Sequence, residues 1–285
     1  MLMPCTKMSG KKLKVGWIDY ANCTPLLLQM AERLSEEPVS LIHGVPAQLN
    51  RSLATGEIDI CISSSIEYAR HSGEYAVLPA HCIGSDGAVM SVLLLSSRPV
   101  NEIEGGTVLV TRESATSVLL LRILLERHWG VRDVVFEDAP SEWQEAVSSG
   151  LPVLLIGDFA LKAAMGGYMP FCYDLGEEWK RFSGLPFVYA LWQINLSSVA
   201  GKHAALSSFA SLLEGARDMM EQRIDELALA ASEKSWMGRE HLAEYWRSIT
   251  YNLDESHIKG LMHYYGNESQ MGLAPPVDSI CFYKA

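Results

Sequence analysis

The sequence predicts an α/β fold of two lobes, each a mainly parallel sheet flanked by helices, with a ligand cleft between them. Three observations lead there. Short apolar segments alternate with helix-like stripes in two successive sets, the habit of βαβ units and of a parallel sheet. The run Val89–Leu95 is apolar without alternation, as in a strand covered on both faces. At 285 residues the chain has length for two such units.

The elements follow in order. Lys14–Ile18 is a strand, and the turn Asp19–Thr24 leads to Pro25, which suits the first position of a helix carrying Leu26, Leu27, Met30 and Leu34 inward. Val39–His43 is the next strand and Pro46–Thr55 the next helix, with Leu49 and Leu53 inside and Gly56 as its stop. Ile58–Ser63 is a strand that ends in Ser63, Ser64 and Ser65 and opens a short helix, Ile66–Arg70. The stretch His81–Pro99 runs from a polar turn, Gly84–Gly87, into Val89–Leu95 and is expected to cross from one lobe to the other. A second set follows: strand Thr107–Val110, helix Ser117–His128, strand Val134–Glu137, helix Ser141–Ser148, and strand Pro152–Ile156, which ends at Gly157 and Asp158 before another helix. Tyr173–Phe182 closes the second lobe, and Pro186–Ile194 is a strand leading back to the first. Beyond Gly201 the chain is helical, with one stripe through Leu206, Phe209, Leu213, Met220 and Ile224 and another through Leu242, Tyr245, Trp246 and Ile249. A last helix starts at the cap Asp254, and the tail Gly272–Ala285 is coil with one short strand, Ile280–Tyr283. The lobes are accordingly drawn as residues 1–95 with 191–285, and 96–190.

Composition narrows the function. The net charge of −11 argues against a nucleic-acid surface, which needs a basic stripe. No apolar run approaches the roughly 20 residues that span a bilayer, and the lysine-bearing start has no apolar core of a secretory signal, so a cytoplasmic protein is expected. The six cysteines fall singly, which implies neither zinc nor a disulfide framework; they read as small buried thiols.

Chemistry is expected where strands hand over to helices. Asn22 and Thr24, then Ser63–Ser65, then Ser114, Thr116 and Ser117 each sit where a helix begins. Such starts expose unpaired N–H groups and the positive end of the helix dipole, which suits a carboxylate or phosphate. For any one of them, capping a structural helix is the simpler use. Three in two successive lobes point to a cleft that grips a small acid. Asp86, Glu67 and Asp158 follow buried strands closely, and a solvated turn carboxylate is the plain reading of each. Tyr173, Trp179, Tyr189 and Trp192 offer an apolar wall for a ring-shaped ligand or, more simply, core. No Gly-x-Ser-x-Gly, Gly-x-Gly-x-x-Gly or Walker A pattern occurs.

Several stretches together carry a resemblance: Tyr20-Ala21-Asn22-Cys23-Thr24-Pro25-Leu26, Ser63-Ser64-Ser65-Ile66-Glu67-Tyr68, Ser85-Asp86-Gly87-Ala88-Val89-Met90, Ser114-Ala115-Thr116-Ser117, Leu154-Leu155-Ile156-Gly157-Asp158 and Tyr173-Asp174-Leu175-Gly176-Glu177-Glu178-Trp179. With these the chain resembles the chorismate dehydratases of the futalosine route to menaquinone, over about Lys14 to Leu261. The resemblance implies a type 2 periplasmic-binding-protein fold and a cofactor-free, metal-free dehydration of chorismate to 3-[(1-carboxyvinyl)oxy]benzoate. On this sequence Asn22 and Ser85 are then expected as the polar groups nearest the reacting atoms, and Ser64, Ser65, Asp86, Gly87, Thr116, Ser117 and Asp158 as the groups that bind the dicarboxylate. No nucleic acid or membrane partner is expected, and a homodimer stays open. Two departures stand out. The family writes arginine where this chain has Thr24 and Ala115, which leaves open a binding protein or enzyme of the same fold for another small carboxylate. Asn22 and Ser85 are poor bases at neutral pH, so the side-chain carboxylate of chorismate is itself the candidate proton acceptor.

Overall fold

The computed structural model describes residues 12–284. The first lobe opens with β1 (Leu13–Ile18), α1 (Thr24–Leu34), β2 (Val39–Gly44), α2 (Pro46–Ala54), β3 (Ile60–Ser64), α3 (Ser65–Arg70) and β4 (Tyr75–Ser85). The chain then crosses to the second lobe: β5 (Val92–Ser96), β6 (Thr107–Val110), α4 (Ala115–Ile123), β7 (Val135–Asp138), α5 (Trp143–Ser148), β8 (Val153–Ile156), α6 (Gly157–Gly166), β9 (Phe171–Asp174) and α7 (Leu175–Ser183). It returns through β10 (Phe187–Asn195) and ends in α8 (His203–Ala230), α9 (Lys234–Met237), α10 (Arg239–Ser248) and α11 (Glu255–Gln270).

The sheets have the orders β2-β1-β3-β10-β4 and β7-β6-β8-β5-β9. In each, four strands run one way and one runs against them. The reversed strands are β10 and β5, the two that carry the chain into a lobe from its neighbour. Since β5 lies in the second sheet and β10 in the first, the changeovers fall before Val92 and before Phe187, a few residues earlier than the expected boundaries at 95 and 190. The cores form as the apolar patterns require: Leu94, Val108 and Leu154 of the second sheet and Val15, Ile60 and Leu191 of the first are fully buried. Leu206, Phe209, Leu213, Met220 and Ile224 of α8 are buried as well, and α8 lies along α1.

Three expectations shift. Strand β4 is absent from the sequence-based reading, because Pro79 and Ala80 interrupt it: Ala80 has φ +63°, and the pairing with β10 jumps from Cys82 to Val77 across that bulge. As a result Gly84 and Ser85 end a strand instead of opening a turn. The apolar run begins its strand at Val92, since the N–H groups of Val89 and Met90 are taken by the Asp174 carboxylate at 3.0 and 2.6 Å. The C-terminal strand is a single bridge, Phe282 beside Val77. Of the cysteines, Cys23, Cys61 and Cys82 are buried thiols, whereas Cys172 and Cys281 are exposed, and Cys5 lies outside the described residues.

Helix α11 matters most for the site. It packs on β10 and touches both α3 and α4, coming so close at Gly260 that a Cβ there would stand 2.0 Å from the Pro186 carbonyl oxygen. Its last turn buries Glu268 completely, and among the described residues neither carboxylate oxygen has a partner at hydrogen-bonding geometry. Burial pushes this carboxyl from the ordinary 4.5 up to about 8. The folded chain therefore holds a proton that the unfolded chain releases, so stability should fall as pH rises from about 4.5 to about 8. Glu268→Gln should flatten that decline and leave the variant more stable than the native protein at pH 8 in urea unfolding. Parallel pH profiles for the two proteins would contradict it.

Candidate active site

The carboxyl ends of the main strands of both sheets face one another, and a cavity lies between them. From the first lobe come Ile18 and the β1–α1 turn with Tyr20 and Asn22, then Ser64 at the end of β3, and Tyr189 and Ala190 on β10. The second lobe supplies Ser91 and Val92 at the start of β5, Ser114 and Ser117 around the start of α4, and Ile156 and Gly157 where β8 meets α6. Ile249, just after α10, completes the wall. None of the described residues lining the cavity is charged.

Asn22 is the most informative of them. Its side-chain Oδ1 is buried and has no partner within the described residues, a costly arrangement unless a ligand or solvent bonds it. The turn that carries it is held by its backbone. Trp246 Nε1 donates to the Ala21 carbonyl at 2.7 Å, and the Tyr251 hydroxyl donates to the Asn22 carbonyl at 2.8 Å.

The serines divide. Ser64 and Ser117 line the cavity, and Ser117 is fixed by Ser114, whose Oγ caps α4 by accepting from the Ser117 N–H at 3.2 Å. Ser65 is turned away and donates to the Val188 carbonyl at 2.7 Å. Ser85 stands behind Tyr189, donating to the Gly87 carbonyl at 2.8 Å with the Tyr189 hydroxyl 3.5 Å away, and does not line the cavity. Gly87 serves the turn itself, with φ +117°. Asp86 is out in solvent, paired with Lys180. None of Ser65, Ser85, Asp86 and Gly87, expected to meet the ligand, lines the cavity: Ser65, Ser85 and Gly87 lie behind its wall, and Asp86 is at the surface.

Thr116 and Asp158, also expected to bind the ligand, do not line the cavity either; each bridges the lobes. Thr116 Oγ1 accepts from the Ile66 N–H, at the first turn of α3, at 3.1 Å, and its carbonyl accepts from the Tyr264 hydroxyl of α11 at 3.1 Å. Asp158 Oδ1 accepts from the Ala21 N–H at 3.0 Å. Sequence reasoning takes both as ligand groups because a hydroxyl or carboxylate at a helix start looks the same whatever it bonds. The partners lie on the other lobe, out of reach of any local pattern.

Tyr20 and Tyr189 are not assigned from sequence as binding residues, although Tyr189 is one of the rings offered for an apolar wall. Tyr20 donates to Glu113 across the cleft, and its ring lies on Gly157, where a Cβ would come within 3.1 Å. Gly157 has φ +55°, which also favours glycine. Burial, reinforced by Glu113, holds the Tyr20 hydroxyl well above its ordinary range; burial does the same for Tyr189. Both are proton donors at neutral pH, not bases. Trp179 and Trp192 are core, and Tyr173 accepts the Val100 N–H at 3.0 Å.

The two positions where arginine is expected lie outside the cavity. Thr24 donates to Glu233 of the segment before α9. Ala115 lines an outer groove with Arg51, Arg70, Arg112, Glu67 and Glu113. Among the described residues no cluster of His, Cys, Asp and Glu is arranged to hold a metal ion.

Two α/β lobes with a cavity between facing strand ends define a periplasmic-binding-protein-like fold, and solved structures agree. A protein of Archaeoglobus fulgidus superposes with TM-score 0.74 at 19% identity, covering 94% of this chain and all of that one. The alkanesulfonate-binding protein of Xanthomonas axonopodis pv. citri, bound to MOPS, superposes with TM-score 0.70 at 14% identity over 93% of this chain and 94% of its own. A family model described as menaquinone biosynthesis matches residues 13–269, and the chain belongs to that family. A relative from Thermus thermophilus, a chorismate dehydratase, is 31% identical over 263 residues, 87% of this chain and 92% of that protein.

If Thr116 joins the lobes and does not bind the ligand, Thr116→Val should leave the buried Ile66 N–H without an acceptor and cost about 1–3 kcal/mol in unfolding. Thr116→Ser should restore most of it. Equal stability of the valine variant and the native protein would return Thr116 to the ligand.

Proposed function

We propose that this protein dehydrates chorismate to 3-[(1-carboxyvinyl)oxy]benzoate in menaquinone biosynthesis, as a cytoplasmic enzyme. The observation that carries the reading is the unbonded, buried Asn22 Oδ1 in an uncharged cavity of a chain that aligns over most of its length with a chorismate dehydratase. No described helix is long and apolar enough to cross a membrane.

Chorismate brings two carboxylates, and the cavity meets them with neutral donors: the hydroxyls of Ser64, Ser114 and Ser117 and the positive end of α4. Tyr189 of the first lobe and Ser91 of the second add further hydroxyls to the wall. Oriented dipoles in a site shielded from water stabilise an anion without reorganising. The reaction removes a ring proton and the neighbouring hydroxyl. The C–H electron pair becomes a ring double bond, the C–O bond breaks, and hydroxide leaves with the proton as water; aromatisation drives the step. A base is needed, and the wall offers none, because Tyr20 and Tyr189 are held protonated. The substrate's own side-chain carboxylate, held against the C–H by the protein, takes the proton and yields it to the departing hydroxide, so that water leaves and the carboxylate is regenerated. In this reading Asn22, whose Oδ1 has no partner among the described residues, faces the departing hydroxyl.

Incubating the purified protein with chorismate and identifying the product by ultraviolet absorbance and mass tests this directly. Formation of the aromatic ether is expected. A protein that leaves chorismate unchanged overturns the reading in favour of another small carboxylate. In Asn22→Asp a negative charge faces a dianion; at about 4 Å and an effective dielectric near 20 the repulsion is about 4 kcal/mol. Calorimetry should show chorismate binding weakened more than tenfold, with turnover falling as well. Unchanged binding would place Asn22 off the reacting face.

A further inference from the structure

We infer that Asp158 is the positioning residue that sets Asn22 in its working orientation when the lobes meet, a role that rests on the dehydratase reading. The Tyr20–Cys23 turn has three long-range backbone anchors. Two come from the first lobe's side: Trp246 on the Ala21 carbonyl and Tyr251 on the Asn22 carbonyl. The Tyr251 segment is itself tied to β4, where the Cys82 N–H donates to the Tyr251 carbonyl at 3.1 Å and Gly84 and Thr250 exchange backbone bonds. Both anchors therefore sit on the first lobe's side of the cleft. The third is Asp158, which holds the Ala21 N–H from the second lobe.

Ala21 is therefore gripped on both sides of its backbone, with its carbonyl fixed from one lobe and its N–H from the other. The next residue is Asn22, whose Oδ1 is buried in the cavity without a partner among the described residues. A rotation of the Tyr20–Ala21 peptide would swing Asn22 relative to Ser64 and Ser117; from across the cleft the bond to Asp158 opposes it at the backbone, while Glu113 holds the Tyr20 hydroxyl. Gly157, immediately before Asp158, adds a flat seat for the Tyr20 ring, so two consecutive residues at the start of α6 press on two consecutive residues of the turn. Asp158 is not among the cavity-lining residues, and a carboxylate there would repel a dianion if it faced the ligand. Its acceptor oxygen is the useful part, and an asparagine amide oxygen can replace it.

Steady-state turnover of chorismate by the native chain, Asp158→Ala and Asp158→Asn tests the assignment. Losing one charge-assisted bond should cost about tenfold in rate. The alanine variant should show that loss in kcat with KM changed less than about threefold, and the asparagine variant should recover most of kcat. An alanine variant with native kcat, or an asparagine variant as slow as alanine, overturns the inference. A second readout does not depend on chorismate. The Ala21 amide proton should lie downfield by nuclear magnetic resonance in the native protein and Asp158→Asn, and shift upfield in Asp158→Ala. If the native protein does not turn over chorismate, the dehydratase reading falls; an Ala21 signal that ignores Asp158→Ala overturns the positioning role in that case too.

Discussion

Two backbone N–H groups at the cavity's edge, those of Ala21 and Ile66, find their acceptors only on the opposite lobe, in Asp158 and Thr116. Each opens a wall of the site: Ala21 precedes Asn22, and Ile66 follows Ser64 and Ser65. Parting the lobes would expose both to water, which can replace the lost partners, so each bond contributes only about 0.5–1.5 kcal/mol net, somewhat more where a charge takes part. A closed state held by a few such bonds is one that a ligand bridging both walls can favour or release. Helix α11 is the fixed point of this arrangement, since Tyr265 reaches the Ser65 carbonyl of one lobe at 2.7 Å while Tyr264 reaches Thr116 of the other.

The electrostatics follow from the same geometry. A net charge of −11 gives an anionic ligand no help from afar, and the wall itself has no cation. What remains are hydroxyls, an amide and the α4 terminus, all fixed by packing. Charged partners are kept one layer back: Glu113 on the Tyr20 hydroxyl, Glu233 on Thr24, Asp158 on the Ala21 N–H. Thr24 and Ala115, where the resemblance leads one to expect arginine, belong to that outer layer.

Much of the fold is legible because apolar runs bounded by glycine, proline or serine mark strands: Thr107–Val110 is placed to the residue, and β1, β2 and β8 to within one. Strand β4 is not, because its bulge at Pro79 and Ala80 breaks the alternation on which a strand is recognised. The one reversed strand in each sheet is also invisible, since direction depends on which lobe the chain is entering. In the site, Asn22, Ser64 and Ser117 stand at helix starts and do line the cavity. Thr116, Asp158 and Ser65 stand in the same kind of position and bond protein instead. Nothing local separates the two groups; the deciding partners are 50, 137 and 123 residues away. Tyr189 needs the register of β10 before its ring can be assigned to the cavity face.

The central claim is that the site is assembled by contacts crossing between lobes. Amide hydrogen exchange at Ala21 and Ile66, measured with and without chorismate, tests it most directly. The account predicts that ligand slows exchange at both amides together, because both acceptors come from the second lobe. Protection at neither, or at one without the other, would contradict it.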